Sequence, residues 1–259
     1  MEKNSDEIKA YWENRAANDS SVQSTTMDIW LRHIEAEYLS ASIKKHRPHK
    51  VCDVGCGDGL TTISCARDNK LMSFIGFDYS ESMIINAKSN AHKYNLPNVS
   101  FSMGDITSGI NSQSIDLIYS TRCLINLAGW SSQMTALSHI YDALSPGGIY
   151  VMVENFIEGQ NLFNSFREKF GLPVIPVRDH NTFFARDDLL NYMSRKFDLI
   201  DEVNISSSYY MVSRIVYSRM CLDEGVTPDY NDIHHQLSAK LPFAGEYGPV
   251  RALTFKKQM

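Results

Sequence analysis

The sequence predicts a doubly wound α/β fold, in which helices cover both faces of a mainly parallel sheet. Three observations support this prediction. Short apolar runs alternate with segments of helical periodicity between residues 50 and 154. Glycines or aspartates follow the first three runs directly, and such sheets carry their sites at the carboxyl ends of the strands. The chain has 259 residues, enough for one such domain with an insertion.

The strands are predicted from short apolar runs bounded by turn residues, and the helices from apolar positions three or four residues apart. Ser80 is a suitable N-cap for the second of these helices. Pro146 and the two glycines after it end the helix before the fifth strand. The first five strands are expected at 50–54, 73–78, 99–103, 115–120 and 148–154, with helices at 60–67, 80–94 and 131–144.

The remaining chain is expected to add a helical lid, an insertion and two closing strands. Apolar residues recur at helical spacing before the first strand. After the fifth strand, prolines and short helical stretches interrupt the alternation, and apolar runs at 209–220 and 251–256 predict strands. The sheet is therefore predicted to have seven strands, with the insertion between the fifth and sixth. The predicted segments are a helical N-terminal lid at 1–47, a ligand-binding core at 48–156, an insertion that binds a second ligand at 157–205 and closing strands at 206–259.

Composition and charge exclude several classes of protein. The formal net charge of −5 does not favour binding to nucleic acid phosphates. The five cysteines form no Cys-x-x-Cys pair, which is typical of reduced thiols rather than of a zinc site. The sequence has no apolar run that could span a bilayer, and residues 1–6 lack the apolar core of a signal peptide. We expect a cytoplasmic protein with no metal, no nucleic acid partner and no membrane insertion.

The first predicted strand runs into a glycine-rich turn that reads D-V-G-C-G-D-G over residues 53–59. Glycine permits a tight turn and a close approach of a ligand to the backbone, because it has no Cβ. A strand that enters a helix through such a turn is typical of a nucleotide site. Asp53 precedes the first glycine by two positions and adds a carboxylate to the turn.

Further carboxylates follow the next two strands. Asp78 ends the second strand about 20 residues later, where nucleotide-binding folds place an acid that accepts both ribose hydroxyls. Gly104, Asp105 and Ile106 follow the third strand, which puts a carboxylate where an adenine amino group would lie. The joint occurrence of these residues after three successive strands predicts a site for a nucleoside-containing cofactor.

These motifs resemble those of the class I, Rossmann-like S-adenosylmethionine (SAM)-dependent methyltransferases. The resemblance covers residues 48–156 and includes the glycine-rich turn, the segment around Asp78, the fourth strand and the turn at 144–148. It implies SAM as the cofactor and methyl transfer as the activity. The implied cofactor-binding residues are Tyr11, Trp12, Arg15, Asp53, Gly55, Cys56, Gly57, Asp78, Tyr79, Met83, Gly104, Asp105, Ile106, Ser120 and Thr121.

The resemblance also assigns parts of SAM to particular residues. The glycine-rich turn would line the methionine part, Asp78 would hold the ribose and Asp105 would flank the adenine. Thr121 would face the SAM amino group or the acceptor. The predicted helix that contains Arg15 resembles a lid in which an arginine pairs with the SAM carboxylate.

The residues after the fourth strand disfavour several kinds of methyltransferase. Residues 120–126 lack the two prolines and the aromatic residue that are usual in enzymes methylating the amino groups of nucleic acid bases. Cys123 lacks the preceding proline that is common in cytosine C5 enzymes, and the segment lacks the carboxylates of metal-dependent catechol-type enzymes. A small-molecule or glycan acceptor is therefore expected.

The insertion supplies the candidate catalytic residue, His180. A positioned histidine can take the proton of a hydroxyl near neutral pH. Arginines in the same segment suit an acidic or phosphorylated acceptor, and aromatic residues suit stacking on a sugar or ring. We therefore predict O-methylation of a small molecule or a saccharide, with His180 as the base. The predicted acceptor-binding residues are Arg122, Asn126, Glu154, Asn155, Arg178 and Asn181.

Two alternative functions remain open. An NAD-dependent oxidoreductase shares the strand, the glycine-rich turn and the ribose acid, although its third glycine would normally fall at Leu60. A non-catalytic SAM-binding partner subunit shares the whole motif, although the intact glycines and Asp78 argue against it.

Overall fold

The computed structural model describes residues 4–19 and 24–259. The strands are β1 (Lys50–Val54), β2 (Ser73–Asp78), β3 (Val99–Met103), β4 (Ile115–Thr121), β5 (Leu144–Asn155), β6 (Phe197–Asn204) and β7 (Val250–Lys257). They form one seven-stranded sheet in the order β3-β2-β1-β4-β5-β7-β6. Strands β1 to β5 pair in parallel, and β7 runs antiparallel to both β5 and β6. The predicted mainly parallel sheet of seven strands is confirmed.

Helices cover both faces of this sheet. Ile43 of the second helix packs with Val51 and Tyr119 on one face, whereas Ile140 of the fifth packs with Ile118 on the other. The helices are α1 (Ser5–Asn18), α2 (Ile29–His46), α3 (Leu60–Asp68), α4 (Glu81–Tyr94), α5 (Gly129–Ala143), α6 (Ile157–Lys169), α7 (Arg186–Met193), α8 (Ser207–Tyr210), α9 (Tyr217–Glu224) and α10 (Ile233–Ser238), with a 3₁₀ turn at Leu124–Asn126 and a π-helical turn at Met211–Val216.

Local sequence decides where several helices begin. Ser80 Oγ accepts a hydrogen bond from the Met83 backbone N–H at 3.1 Å, which confirms the predicted N-cap of α4. Asp28 caps α2 in the same way, through the Leu31 N–H at 3.0 Å. Both caps satisfy backbone donors that the first turn of a helix leaves without an intrahelical partner.

The strand predicted at 209–220 is wrong. This segment is helical and runs from α8 through the π-helical turn into α9. Its aromatic and β-branched residues suggest a strand, but they also place a buried side chain at every fourth position. Tyr209, Ser213, Tyr217 and Cys221 are all buried. A spacing of four defines one face of a helix, so packing of that face overrides the local preference.

The sixth strand instead lies inside the predicted insertion at 157–205. Strand β6 is at the edge of the sheet, and its middle residues are partly or fully exposed, so its sequence lacks the apolar run of a central strand. The insertion between β5 and β6 is therefore limited to α6, α7 and the loop between them. A second, mainly helical insertion separates β6 from β7, and it replaces the closing strand predicted at the start of 206–259.

The carboxyl ends of the parallel strands meet at one edge of the sheet, and α1 lies across this edge. Glu13 of α1 accepts hydrogen bonds from the hydroxyls of Ser80 and Ser82, both at 2.5 Å. Residues 1–3 and 20–23 of the lid predicted at 1–47 lie outside the described residues, and the described part forms α1 and α2. In the described chain, each helix is too short or too polar to cross a bilayer.

Candidate active site

A cavity of about 290 Å³ opens at this edge of the sheet. One part, the glycine end, is lined by the turn after β1 and by residues after β2. The other part, the arginine chamber, is lined by α2, the segment after β4 and the two insertions. The residues of the glycine end are Trp12, Asp53, Gly55, Cys56, Gly57, Asp78, Tyr79, Met83 and Thr121, and those of the arginine chamber are Asp28, Arg32, Glu35, Arg122, Asn155, Phe163, Arg178, Tyr210, Arg214 and Tyr230.

The glycine-rich turn adopts a backbone that other residues would strain. Gly55 and Gly57 have φ angles of +71° and +51°, in the left-handed region that favours glycine. A Cβ at Gly55 would lie 2.2 Å from Cys123 Sγ, and a Cβ at Gly57 would lie 2.9 Å from a methyl carbon of Thr25. The two glycines therefore allow the turn to pass close to neighbouring segments while its backbone faces the cavity.

Asp78 is fixed at the cavity wall by backbone hydrogen bonds. Its two carboxylate oxygens accept from the N–H groups of Gly57 and Ser80, both at 3.0 Å. Burial nevertheless raises the pKa of Asp78 to about 6, against these stabilising bonds. A carboxylate held in this way retains acceptor capacity for the two hydroxyls of a ribose.

Asp53 lies deeper beneath the same turn. Its carboxylate accepts a hydrogen bond from the Thr62 hydroxyl at 2.5 Å, and burial raises its pKa to about 7. Asp53 therefore ties β1 to α3 and also contributes to the floor of the glycine end.

The predicted lid residues are at the cavity mouth, although they do not all face inward. Trp12 lines the cavity and donates through Nε1 to Asn126 Oδ1 at 3.2 Å. Tyr11 stacks on the imidazole of His180, with 4.5 Å between ring centroids. Arg15 donates to the Ser24 carbonyl and to the Tyr11 hydroxyl. It is not among the lining residues, so its predicted contact with the SAM carboxylate stays a prediction.

His180 is brought to the cavity by the loop between α6 and α7. Its ring contacts both Tyr11 and Trp12, stacked on the first and edge-on to the second. The neighbouring Asn181 donates to Asn126 Oδ1 at 2.8 Å. The predicted residues His180, Asn181 and Asn126 therefore come together at the mouth, with Arg178 at its exposed rim.

Several predicted cofactor residues lie behind the cavity wall. Asp105 accepts a hydrogen bond from Lys9 Nζ at 2.6 Å and so links β3 to α1. Although partial burial opposes ionisation, hydrogen bonds from Lys9 and Thr107 hold the pKa of Asp105 below its ordinary value. Among the described residues, the predicted cofactor-binding residues that do not line the cavity include Gly104, Asp105, Ile106 and Ser120.

Glu154, predicted to bind the acceptor, supports the turn after β4 instead. Its Oε1 accepts from the backbone N–H groups of Cys123 and Leu124 at 3.1 and 3.0 Å, and from the Ser120 hydroxyl at 2.8 Å. Burial raises the pKa of this carboxyl to about 7. Its oxygens are occupied by the protein, so this geometry does not support a direct contact with an acceptor.

Arg122 leaves β4 in an unusual conformation and points across to α2. Its φ angle of +46° lies in the left-handed region, which costs energy for a residue with a side chain. The Asn126 side chain donates to its carbonyl at 2.7 Å. Its guanidinium pairs with the buried carboxylate of Glu35, with 2.7 Å between Nε and Oε1.

Sequence reasoning missed most of the arginine chamber. Asp28 and Glu35 belong to the helix whose apolar stripe suggested only a buried face. Arg214 and Tyr230 belong to the second insertion, part of which was predicted as a strand. The Arg214 guanidinium pairs with Asp28 and donates to the Tyr230 hydroxyl at 2.7 Å. The signal that could have found them is the presence of charged residues within a helical apolar stripe, since a buried charge requires a partner.

Comparisons with known proteins support the methyltransferase resemblance that the sequence motifs indicate. The family model described as a methyltransferase domain matches residues 45–172. A magnesium protoporphyrin IX methyltransferase from Synechocystis PCC 6803, solved with bound SAH, has the same fold, with a TM-score of 0.63, 14% identity and coverage of 98% of this chain and 100% of that one. Residues 45–172 therefore belong to the methyltransferase-domain family, and the chain has the fold of class I SAM-dependent methyltransferases.

Two curated relatives each match less than half of the chain. A carboxy-S-adenosyl-L-methionine synthase from Shewanella piezotolerans is 33% identical over 119 residues, which cover 45% of this chain and 48% of the relative. A trans-aconitate 2-methyltransferase from Acidovorax sp. (strain JS42) is 30% identical, with 43% of this chain and 40% of the relative covered. These alignments therefore span less than half the length of the relatives.

SAM is the cofactor of this methyltransferase family, and the glycine end fits it. Asp78 is placed for a ribose, and the glycine-rich turn presents backbone to the ligand. In the described part of the chain, the buried hydroxyls of Tyr79 and Thr121, which line the cavity, have no hydrogen-bond partner, so they remain able to bond to a ligand. The antiparallel β7 between β5 and β6 also departs from the 3-2-1-4-5-6 strand order of dinucleotide-binding oxidoreductases.

Proposed function

We propose that the protein transfers the methyl group of SAM to a hydroxyl oxygen of a small-molecule or saccharide acceptor, with His180 as the base. The observation that carries this proposal is the continuity of the cavity. One space joins the glycine-rich turn and Asp78 to the polar and aromatic arginine chamber. A cofactor and an acceptor bound at its two ends would meet beside the carboxyl end of β4.

The main task of such a site is alignment. When bound, SAM supplies an electrophilic methyl group on a sulfonium. Asp78 and the glycine-rich turn fix the position of that group, while the arginine chamber orients the acceptor oxygen. Holding two reactants in line converts a bimolecular step into an effectively unimolecular one. Helix α1 covers the mouth through Trp12 and thereby excludes water.

The acceptor hydroxyl must also lose its proton. His180 lies at the cavity mouth, and its ring orientation is set by stacking on Tyr11. An imidazole in this position can accept the proton as the oxygen attacks, a contribution of about 10²–10⁴-fold in related reactions. Asn181 and Arg178, on either side in sequence, are placed to orient a polar acceptor at the rim.

Two measurements test this function. Calorimetry should show binding of SAM and of S-adenosylhomocysteine but not of NAD, which separates the methyltransferase from an oxidoreductase. Incubation with methyl-labelled SAM and a metabolite extract should then transfer label to a product that mass spectrometry identifies. SAM binding without any transfer would favour the non-catalytic SAM-binding subunit, and transfer to nitrogen or carbon would contradict O-methylation.

A further inference from the structure

The cations of the arginine chamber are matched by anions of the same wall. Arg122 pairs with Glu35, and Arg214 pairs with Asp28. Both carboxylates are buried, with Glu35 only 1% exposed. Breaking one partner away from a buried pair is strongly destabilising, because it leaves the other charge unmatched. An anionic ligand would therefore compete with carboxylates that already neutralise these arginines.

The two other arginines of the chamber add no unmatched positive charge to its interior. Arg32 pairs with Asp58 of the glycine-rich turn, with 3.1 Å between Nη2 and Oδ2. Arg178 is exposed at the rim, where water screens its charge. The interior of the chamber is therefore polar without an excess of positive charge.

The chamber offers a hydrogen-bond acceptor as well as donors. Within the described residues, Asn155 Oδ1 is buried without a hydrogen-bond partner, and so is the donor Nε of Arg214. Both oxygens of Glu35 are held by Arg122, because Oε1 lies 2.7 Å from Nε and Oε2 accepts from Nη2 at 3.0 Å. An ionised carboxylate ligand carries acceptors only, so it could not satisfy Asn155 Oδ1. A hydroxyl both donates and accepts and can satisfy Asn155 Oδ1 as well as Arg214 Nε.

Aromatic rings complete the same wall. Phe163 meets Tyr210 edge-on at 5.2 Å between centroids. The Arg214 guanidinium lies over the rings of Tyr210 and Tyr230, at 5.3 and 4.5 Å from their centroids. These contacts hold the arginine rigidly and leave apolar ring surface in the chamber. A ligand with both hydroxyls and apolar C–H faces matches this combination.

We propose that the arginine chamber binds a neutral, polyhydroxylated acceptor such as a sugar ring, and discriminates against carboxylate acceptors. Asn155 Oδ1 accepts a hydrogen bond from a hydroxyl next to the one that is methylated. The acceptor oxygen gains the methyl group, the electron pair of the broken carbon–sulfur bond stays on sulfur, and the hydroxyl proton passes to His180. The product is a methyl ether. This inference rests on the proposed function and narrows the class of acceptor to neutral molecules. Trans-aconitate, for which some of the relatives are named, is by contrast a carboxylate.

The decisive experiment separates acceptors by charge. A bacterial metabolite extract is split by anion exchange into neutral and anionic fractions, and each is incubated with the protein and methyl-labelled SAM; purified trans-aconitate is a third arm. Products are then treated with mild base, which releases methanol from methyl esters and leaves methyl ethers intact. We expect base-stable label in the neutral fraction only. Label in the anionic fraction or on trans-aconitate, or label released as methanol, overturns the inference. If SAM binds and no arm takes label, the proposed function itself is contradicted.

Variants of the chamber sharpen this test. Glu35→Gln removes the charge that matches Arg122, so the unmatched guanidinium should attract an anionic acceptor while SAM affinity stays unchanged. Label should therefore appear in the anionic fraction with this variant. Glu37→Gln is the matched control, because Glu37 is on the same helix with its side chain 65% exposed, and it should behave as the unmodified protein.

A second variant covers the case in which Glu35→Gln does not fold. Asn155→Ala removes an oxygen that has no partner among the described residues, so the fold should tolerate it and the KM for the neutral acceptor should rise. An unchanged KM in a folded Asn155→Ala variant, or an anionic fraction without label in a folded Glu35→Gln variant, would show that this wall does not select the acceptor.

Discussion

The glycine end and the arginine chamber are two parts of one cavity, but they are held together differently. At the glycine end, Asp78 bonds to backbone N–H groups 2 and 21 residues away in sequence. In the arginine chamber, Arg122 and Glu35 are separated by 87 residues, and Arg214 and Asp28 by 186. One end is built from adjacent strand ends and the other from distant side chains.

This difference shows which changes each end can tolerate. Backbone donors at the glycine end are present whatever the side chains are, so the same cofactor site can recur in many sequences. The arginine chamber depends on ion pairs between segments that only the complete fold brings together. We therefore expect cofactor binding and acceptor selection to respond separately to mutation.

The largest effect should come from His180, which lies on the acceptor side. His180→Gln should lower kcat by about 10²–10⁴-fold, because the acceptor hydroxyl loses its proton acceptor. SAM affinity measured by calorimetry should not change. His92→Gln, an exposed histidine on α4, is the control. A His180→Gln variant with near-native turnover would show that His180 is not the base and that alignment alone drives the transfer. It would then give no evidence that the acceptor side responds to mutation separately from the cofactor side.

The next largest effect should come from Asp78, at the cofactor side. Asp78→Ala should weaken SAM binding by about 1.5–3 kcal/mol, the usual contribution of hydrogen bonds to a charged group. Asp142→Ala, at an exposed position of α5, is the control for loss of one carboxylate. Unchanged affinity in calorimetry would place the ribose elsewhere.

The pH dependence of SAM binding tests the same carboxylate without a change in sequence. Burial raises the pKa of Asp78 to about 6, and ribose hydroxyls donate to its ionised form. SAM affinity should therefore be constant above this pH and fall by up to about tenfold per pH unit below it. Two other acids interact electrostatically with Asp78: Glu13 of α1 and Asp53, whose pKa is raised to about 7. An Asp78→Asn variant that keeps the full pH dependence would assign it to one of these neighbours.

The smallest effect should come from α1, which touches both ends. Trp12→Ala removes one hydrogen bond to Asn126 and part of the cover over the cavity. Loss of about 0.5–1.5 kcal/mol corresponds to roughly 2- to 12-fold weaker SAM binding. Tyr94→Ala, at a half-exposed position of α4, is the control for removal of an aromatic ring. Equal affinities in all three proteins would show that α1 is not a lid.

The sequence by itself determined the parallel sheet and the glycine end. Apolar runs predicted β1 to β4 to within one residue of their limits, because a buried strand requires a continuous apolar segment, whereas β5 begins four residues earlier than predicted, at Leu144. The glycine-rich turn and Asp78 could be predicted because their chemistry depends on residues close together in sequence or at the ends of neighbouring strands.

Only the tertiary structure decided the rest of the site. The helix at 207–224 formed against its strand-like sequence, because burial of one face outweighed local preference. Glu154 became a support for the turn after β4 once its oxygens met the N–H groups of that turn. The pairing of Arg122 with Glu35 and of Arg214 with Asp28 joins segments that no local pattern connects. Packing of the whole chain decides which side chains meet across such separations in sequence. It therefore also decides the charge and polarity of the arginine chamber.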